Sequence, residues 1–339
     1  MQPTTQADAA SPGRRPTVKD VARVAGVGVG TVSRVLNDEG KVSPDSRARV
    51  LAAIDELEYV RDTAARALRR GASASVGLLV EDVADPFYSQ VHRSVEATLE
   101  RHGLTLLAAS SGGSASQVRT LIDGLAARRV EGLVVTMPID ADESRLASLQ
   151  RAGVHVVFVD RPALAFEADS VRTDGRRGAA MAIDHLLARG HRRIVALLDD
   201  ARNHSSGERM LGVRDAVAAA GLGEDAVVVS QEAPHPDAIA DRLARAGAEA
   251  DAPTAVFCGN NRTSVATLRA LRALGLAWEV VGFDDLELAD LLDPPLTVVA
   301  QDPLAIGATA ARMLVDRLDG CAGPARSVLL EPVLVDRSG

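Results

Sequence analysis

Aromatic residues are scarce in this chain of 339 residues, which has 1 Trp, 2 Tyr and 5 Phe. Hydrophobic residues nevertheless make up 47% of it. A sizeable core can therefore be buried, and it has to be built mainly from Ala, Val and Leu. The length is sufficient for about two or three domains of typical size.

Cysteines and long apolar segments are also few. The two cysteines, Cys258 and Cys321, do not have the spacing of metal ligands, and scattered thiols are typical of the reducing cytoplasm. No apolar run approaches the roughly 20 residues that a membrane helix needs. Residues 1–13 are polar, without the apolar stretch of a signal peptide. We therefore expect a disordered leader at residues 1–15, a cytoplasmic location, no membrane contact and no metal or cofactor.

The charge is unevenly distributed along the chain, whose net charge is −8. Residues 14–70 carry 12 Lys and Arg and 8 Asp and Glu, which gives +4. The residues after 70 carry 26 basic and 37 acidic side chains, which gives −11. A basic head on an acidic body is typical of a protein that binds a polyanion with one part of its chain.

The basic segment has the pattern of a helix-turn-helix. Thr17 is suited to cap a first helix, with Asp20 as the capping-box carboxylate, and Gly26 ends that helix. A second helix follows and ends near Asn37. Two helices joined in this way place the second one in the major groove of DNA.

A third helix is predicted after Ser43, which can cap it. Pro44 occupies the first helical position, where its missing N–H costs nothing. The predicted apolar face of this third helix consists of Val50, Leu51, Ile54 and Leu57.

The second helix supplies most of the predicted DNA contacts. The hydroxyls of Thr31 and Ser33 can donate to phosphates, and Arg34 can read N7 and O6 of guanine. The predicted contacts in this motif are Thr17, Val29, Gly30, Thr31, Ser33, Arg34 and Asn37.

Gly26, Gly28 and Gly30 also resemble a glycine loop that binds a dinucleotide. Such a loop has to follow a strand, whereas the preceding residues have helical periodicity and a helix cap. We therefore favour DNA binding.

From residue 75 onward, short apolar runs alternate with amphipathic segments. Predicted strands lie at residues 76–80, 105–109, 132–135, 154–159, 194–198, 226–229, 255–258 and 279–282, with a last run at 328–335. Predicted helices between them lie at residues 88–101, 117–128, 178–189, 208–220 and 263–273. This alternation predicts an α/β fold with parallel sheets. This number of strands is more than one sheet is expected to hold, so the sequence predicts two doubly wound subdomains. Ligands of such folds bind at the carboxyl ends of the strands.

Residues 17–37 resemble the headpiece of the LacI/GalR family of bacterial repressors. The resemblance covers about residues 15 to 337. It includes the core motifs Gly77-Leu-Leu, Asp85-Pro-Phe-Tyr88, Gly190-His-Arg-Arg-Ile194, Gly282-Phe-Asp-Asp285 and Pro295-Leu-Thr297. It implies a homodimer that binds a palindromic operator, with a core like the periplasmic sugar-binding proteins.

The resemblance also implies a division of the chain. An all-α headpiece at residues 16–60 is followed by a linker at 61–71 and an effector-binding core at 72–337. The first subdomain is expected at about residues 72–161 and 301–325, and the second at about 162–300 and 326–337. The linker forms a hinge helix on DNA in this family, where Leu68 would wedge into the minor groove and Arg66 would neutralise phosphate.

The family's effector contacts carry over to this chain by position. They are Phe87, Tyr88, Asp160, Ser205, Arg209, Asn260 and Asp284. An arginine and carboxylates around an aromatic ring suit a sugar or a related metabolite. Two other interpretations remain open at this stage: Arg209 could pair with Asp284, and Phe87 could only fill the core.

Several positions depart from the family pattern. Gly28 replaces the usual serine at the start of the recognition helix, which removes a cap. Asn261 stands where an aspartate is usual, so that an acidic ligand contact is lost or weakened. No heptad pattern follows residue 335, so a tetramer built on a C-terminal coiled coil is not expected.

The sequence thus predicts a DNA-binding repressor that a small effector controls. The alternative is a solute-binding module without a DNA function. We do not expect an enzyme, because the core has no evident nucleophile–base pair or phosphate loop.

Overall fold

The computed structural model describes residues 16–37, 42–57, 74–230 and 235–337. The chain divides into two compact units, residues 1–71 and 72–339. The predicted leader and linker lie outside the described residues. None of the helices in the described ranges is long and apolar enough to cross a membrane.

The first unit contains three helices in its described residues: α1 (Val18–Ala25), α2 (Val29–Asn37) and α3 (Pro44–Glu56). The backbone N–H and the hydroxyl of Thr17 both donate to Asp20, at 2.8 and 2.6 Å, which confirms the capping box. Gly26 ends α1 in the left-handed conformation, with a φ of 63° that glycine adopts without steric cost.

One small apolar core joins these three helices. It consists of Val21, Ala22, Ala25, Val32, Val35, Val50 and Ala53, with Ile54 and Leu57 packed against it. The prediction for Leu51 is wrong, since that side chain is 50% exposed. The reason is helical geometry: positions 50, 53, 54 and 57 share one face, whereas residue 51 lies about 100° around the helix from residue 50.

The second unit contains two six-stranded sheets in its described residues. The strands of the first sheet are β1 (Ser75–Val80), β2 (Thr105–Ser110), β3 (Gly132–Val135), β4 (His155–Val159), β5 (Asp169–Thr173) and β11 (Ser327–Leu330). Those of the second are β6 (Ile194–Leu197), β7 (Val227–Ser230), β8 (Ala255–Cys258), β9 (Glu279–Phe283), β10 (Thr297–Ala300) and β12 (Val333–Val335). The strand orders are β11-β5-β4-β3-β1-β2 and β12-β10-β9-β8-β6-β7. All neighbours are parallel except β12, which is antiparallel to β10.

Helices cover both sheets. They are α4 (Pro86–Arg101), α5 (Ala115–Ala127), α6 (Ser144–Arg151), α7 (Gly175–Ala188), α8 (His204–Ala219), α9 (Pro236–Gly247), α10 (Asn261–Leu274) and α11 (Pro303–Leu318). In the first subdomain α4 packs on α11, and in the second α7 packs on α8. The doubly wound α/β prediction is confirmed.

The chain passes between the two sheets three times in the described residues. It leaves the first sheet after β5, returns after β10 to form α11 and β11, and ends in the second sheet as β12. The first subdomain therefore continues to Thr173 and Leu330, beyond the boundaries predicted at 161 and 325. The predicted run at 328–335 is two strands of different sheets, since β11 pairs with β5 and β12 pairs with β10.

Candidate functional site

A cavity of about 460 Å³ lies where the carboxyl ends of the two sheets face each other. This volume is in the range of small-molecule sites in proteins. Its walls come from both subdomains. Six of the seven predicted effector contacts line it, namely Phe87, Tyr88, Asp160, Arg209, Asn260 and Asp284.

Arg209 on α8 forms part of the second subdomain's wall. Its guanidinium lies over the ring of Phe283, 3.9 Å from the ring centroid, and Nη1 donates to the carbonyl of Gly259 at 2.8 Å. Its buried Nε has no partner in the described structure. Arg209 is thus fixed by stacking and one backbone bond, and it retains donors for a ligand.

Asp284 follows β9 and is held from two sides. Gln301 donates to its Oδ1 at 2.5 Å, and the backbone N–H of Asn261 donates to its Oδ2 at 3.3 Å. Burial raises the pKa of Asp284, and the nearby charge of Arg209 opposes that shift. Arg209 therefore acts on Asp284 through its field, while the direct bonds to the carboxylate come from neutral groups.

Phe87 and Tyr88 form the aromatic part of the first subdomain's wall. Their rings meet edge to face, with centroids 5.0 Å apart. Both side chains are buried and belong to the core beneath β1, yet both border the cavity. Phe87 therefore fills the core and contributes an apolar surface to the site.

Asp160 follows β4 and is hydrogen-bonded to Ser205. The Ser205 hydroxyl donates to Asp160, whose carbonyl oxygen and Oδ1 lie 2.9 and 3.0 Å away. Ser205 comes from the second subdomain and Asp160 from the first, so this contact joins the two. Ser205 is absent from the cavity lining, which makes its predicted contact with the effector indirect.

Sequence reasoning missed several polar residues of the cavity. Asp199, which follows β6, accepts from the side chain of Asn260 at 3.0 Å, and its buried Oδ1 has no partner in the described structure. Burial raises the pKa of Asp199, with Arg209 opposing the shift. Its position at a strand's carboxyl end was a signal that could have identified it.

Glu81 and Arg161 form a second missed group, beside Asp160. Arg161 donates to the carbonyl of Met137 and to Glu81 at 3.3 Å, and its Nε lies 3.6 Å from Asp160. Burial raises the pKa of Glu81, and Arg161 opposes that shift.

Carboxylates outnumber guanidinium groups around the cavity. The six acidic residues are Glu81, Asp85, Asp160, Asp199, Asp200 and Asp284, and the three arginines are Arg161, Arg209 and Arg262; His235, which the formal charge leaves neutral, also lines the cavity. This composition leaves a formal excess of three negative charges, so the walls offer acceptors to a ligand that donates hydrogen bonds.

In the first unit, α2 leaves Val29, Gly30 and Arg34 exposed and Thr31 partly exposed. Arg34 Nε donates to the carbonyl of Gly30 at 3.2 Å, so its charged head lies on the outer face of α2. The glycine-loop alternative is excluded because a helix, α1, precedes the glycines. The side chains of Ser33 and Asn37, and the linker residues Arg66 and Leu68, lie outside the described residues.

Comparison with known proteins agrees with both units. Residues 17–62 match the family described as bacterial regulatory proteins, lacI family, and residues 183–338 match the periplasmic binding protein-like domain. The chain is 31% identical over 328 residues to the transcriptional repressor PurR of Vibrio vulnificus, covering 95% of this chain and 97% of that protein.

Two solved structures resemble it over nearly their whole length. The complex of the transcriptional regulator CelR with cellobiose is 32% identical, with a TM-score of 0.70, and covers 96% of this chain and 100% of that one. The lac repressor dimer bound to operator and the anti-inducer ONPF is 26% identical, with a TM-score of 0.78, and covers 95% and 98%.

A match of this identity along both units excludes the alternative of a solute-binding module without a DNA function. It also identifies the chain as a regulator and not an enzyme. The protein belongs to the lacI family of bacterial regulatory proteins and is a DNA-binding transcriptional regulator.

Proposed function

We propose that this protein is a cytoplasmic repressor that binds a palindromic operator as a homodimer and responds to a neutral, hydroxyl-rich effector such as a sugar. The observation that carries the proposal is the cavity of about 460 Å³ between the subdomains. It brings Arg209, Asp284 and Asp160 around one space with the aromatic pair Phe87 and Tyr88.

The chemistry of the walls supports a neutral polyol. Carboxylates accept hydrogen bonds from hydroxyl groups, Arg209 can donate to a ring or hydroxyl oxygen, and an aromatic wall suits the apolar face of a sugar ring. The excess of negative charge opposes a phosphate or carboxylate on the ligand. The complex of CelR with cellobiose supports the same class.

The proposed response follows from the position of the cavity. A ligand that touches both subdomains favours one arrangement of them by its difference in affinity for the two arrangements. In a dimer, this change alters the separation of the two linkers, residues 61–71, and with it the fit to the operator. Operator and effector must then change each other's affinity by the same factor.

The proposed operator contacts are those predicted from the sequence. The exposed residues of α2 would enter the major groove, with Thr17, Ser33 and Asn37 beside them, and Arg66 and Leu68 would act at the minor groove. The solved lac repressor dimer on its operator supports this assignment.

The first test is selection of duplexes from a random DNA library with the full chain. We expect enrichment of a palindromic site bound with a dissociation constant of about 10⁻⁸ to 10⁻¹¹ M, weakening steeply with salt. The same chain without residues 1–71 is the control and should not retain that site. Enrichment of a single half-site, with a monomer in solution, would contradict the homodimer.

The second test is thermal unfolding with neutral sugars and with the phosphate and uronate forms of the same sugars. A sugar at 100 times its dissociation constant should add about 2.7 kcal/mol of stability. Stabilisation by the charged forms alone would contradict the neutral class.

A further inference from the structure

Asn261 and Asp85 make a direct hydrogen bond across the cavity. Asp85 caps α4 in the first subdomain, and Asn261 begins α10 in the second. The Nδ2 atom of Asn261 lies 2.8 Å from Oδ1 of Asp85. An ionised carboxylate only accepts hydrogen bonds, so the amide nitrogen has to face it, and the polarity of this contact is fixed.

The bond is part of a chain of contacts that passes through the proposed effector site. The same Oδ1 atom of Asp85 accepts from the backbone N–H of Phe87 at 2.9 Å. The backbone N–H of Asn261 donates to Asp284, which also accepts from Gln301. Gln301 lies between β10 and α11, where the chain passes from one sheet to the other. Through these bonds Asn261 links the aromatic wall at Phe87, the carboxylate of Asp284 and, through Asp284, the segment at Gln301 that joins the two subdomains.

This contact is partly buried, which distinguishes it from a second, exposed charged contact between the subdomains. Arg202 donates to Asp140 at 2.8 Å, but those side chains are 65% and 69% exposed, and exposed ion pairs contribute little. Asn261 is only 5% exposed. A hydrogen bond between a buried amide and a carboxylate is stronger than a neutral one.

The identity of residue 261 decides whether this contact attracts or repels. An aspartate, the residue usual here in the resembling family, would place a carboxylate against Asp85 and beside Asp284. Asparagine replaces that repulsion with a donor. We propose that Asn261 is a positioning residue whose bond to Asp85 favours the observed arrangement of the two subdomains when no effector is bound. It thereby sets the equilibrium between arrangements of the subdomains that an effector then shifts.

The functional meaning of this proposal rests on the proposed effector site, but its test does not. The distance between the subdomains can be measured on the full chain without ligand or DNA. Cys321 is exposed and precedes β11, while Ala250 is exposed and precedes β8. Both lie at strand ends opposite the cavity, and Cys258 is buried. A spin label on Cys321 and another on Ala250→Cys report the separation, with excess unlabelled protein so that each dimer holds one labelled chain.

The variants are Asn261→Asp, Asp85→Asn and the two together, each compared with the labelled parent. Asn261→Asp should shift the balance away from the parent's main distance by about 10-fold or more. The double variant should restore that distance, because asparagine at 85 can still cap α4 through its oxygen and donate to the aspartate at 261 through its nitrogen. Asp140→Asn, which removes the exposed pair, is the matched control and should leave the distribution unchanged.

Two outcomes would overturn the proposal. One is a parent-like distribution for Asn261→Asp. The other is a double variant that remains as displaced as Asn261→Asp while melting at the parent's temperature, because loss of that bond would then not explain the displacement. A failure of the proposed function would instead appear as no response to sugars or DNA, with these distances still changing as expected.

Discussion

Asp160 and Asp284 occupy corresponding positions in the two subdomains. Each directly follows a strand and adopts a left-handed backbone, with φ of 68° and 71°. Each also donates its backbone N–H to the next strand of its sheet, to Val171 and Val299, both at 3.0 Å. Non-glycine residues rarely adopt this conformation, and where they do a functional site is often near. Both subdomains thus use the same backbone turn to direct a carboxylate at the cavity.

Replacing Asp284 should separate the backbone contribution from that of the side chain. Asp284→Ala removes the carboxylate that accepts hydrogen bonds from Gln301 and Asn261. It also places alanine in a left-handed conformation, and that conformation alone costs roughly 1–2 kcal/mol. Asp284→Asn tolerates that conformation and retains one acceptor oxygen. We expect alanine to lower the free energy of unfolding by at least about 2 kcal/mol, and asparagine by clearly less, in urea titrations. Equal losses would show that the backbone conformation is not strained.

Arg209→Lys should impair the effector response while operator binding persists. Lysine lacks the planar group that lies over Phe283 and cannot make paired hydrogen bonds. We expect the effector concentration for half response to rise about 10-fold or more, since a hydrogen bond to a charged group contributes roughly 1.5–3 kcal/mol. Operator titration with and without effector measures this. Arg176→Lys is the control, because that residue pairs with Asp215 on the surface, and it should respond like the parent.

Asp169 should be a main determinant of core stability. Its side chain, 3% exposed, bonds Arg317 and Arg326 at 2.8 and 2.9 Å. Burial alone would raise the pKa of Asp169, but the hydrogen bonds from the two arginines lower it overall. Asp169→Asn should cost about 3 kcal/mol, as expected when one partner of a buried ion pair is removed.

The pH dependence of that loss has a definite sign. Because the folded state holds the pKa of Asp169 below its unfolded value of about 3.9, the stabilisation is complete above that pH. It is lost as the pH falls through the lower, folded-state value. The gap in unfolding free energy between parent and Asp169→Asn should therefore narrow from pH 7 toward acid. A gap that widens on acidification would contradict the assignment.

Arg34→Ala should relax operator discrimination at one base pair by about 1–3 kcal/mol. The measurement compares the selected operator with variants at each position, at constant salt. Arg49→Ala on α3 is the control, because Arg49 pairs with Asp45 four residues earlier. The Arg49→Ala variant should discriminate between operator sequences as well as the parent does. If Arg34→Ala instead lost the same binding affinity for every sequence, Arg34 would contact phosphate and not a base.

The two thiols should differ sharply in reactivity. Burial raises the pKa of Cys258 to about 12, while Cys321 is exposed, and the thiolate is the reactive form. Iodoacetamide at pH 8 should add one label to the native chain, at Cys321. Mass spectrometry of the digested protein locates the label. A label on Cys258 before unfolding would contradict its burial.

Elements with a regular apolar period were predictable from the sequence, whereas β5 was not. Its residues, Asp-Ser-Val-Arg-Thr, contain one large apolar side chain, and Asp169 and Ser170 are buried all the same. Asp169 pairs with Arg317 and Arg326, about 150 residues away, and no local pattern reveals these partners. The strand β10 and the helices α6, α9 and α11 were also missed, although each contributes buried apolar residues.

The cavity was predictable to the extent that strand ends and family positions define it. Phe87, Arg209 and Asp284 follow from those rules. The family pattern singled out the position of Asn261, but its bond to Asp85 and the role of Gln301 depend on contacts that only the folded chain brings together.

The three passages of the chain between the sheets have a consequence for synthesis. The core of the first subdomain includes Ile306, Ala310 and Leu314 of α11, and its sheet is completed only by β11. A growing chain cannot finish its first α/β layer until residue 330 has emerged, long after the intervening strands β6 to β10 have been made. The apolar face that α11 covers is exposed throughout that interval, a condition that favours aggregation. The first subdomain therefore cannot fold to completion before most of the second has been synthesised, because its closure depends on α11 and β11, within residues 303–330.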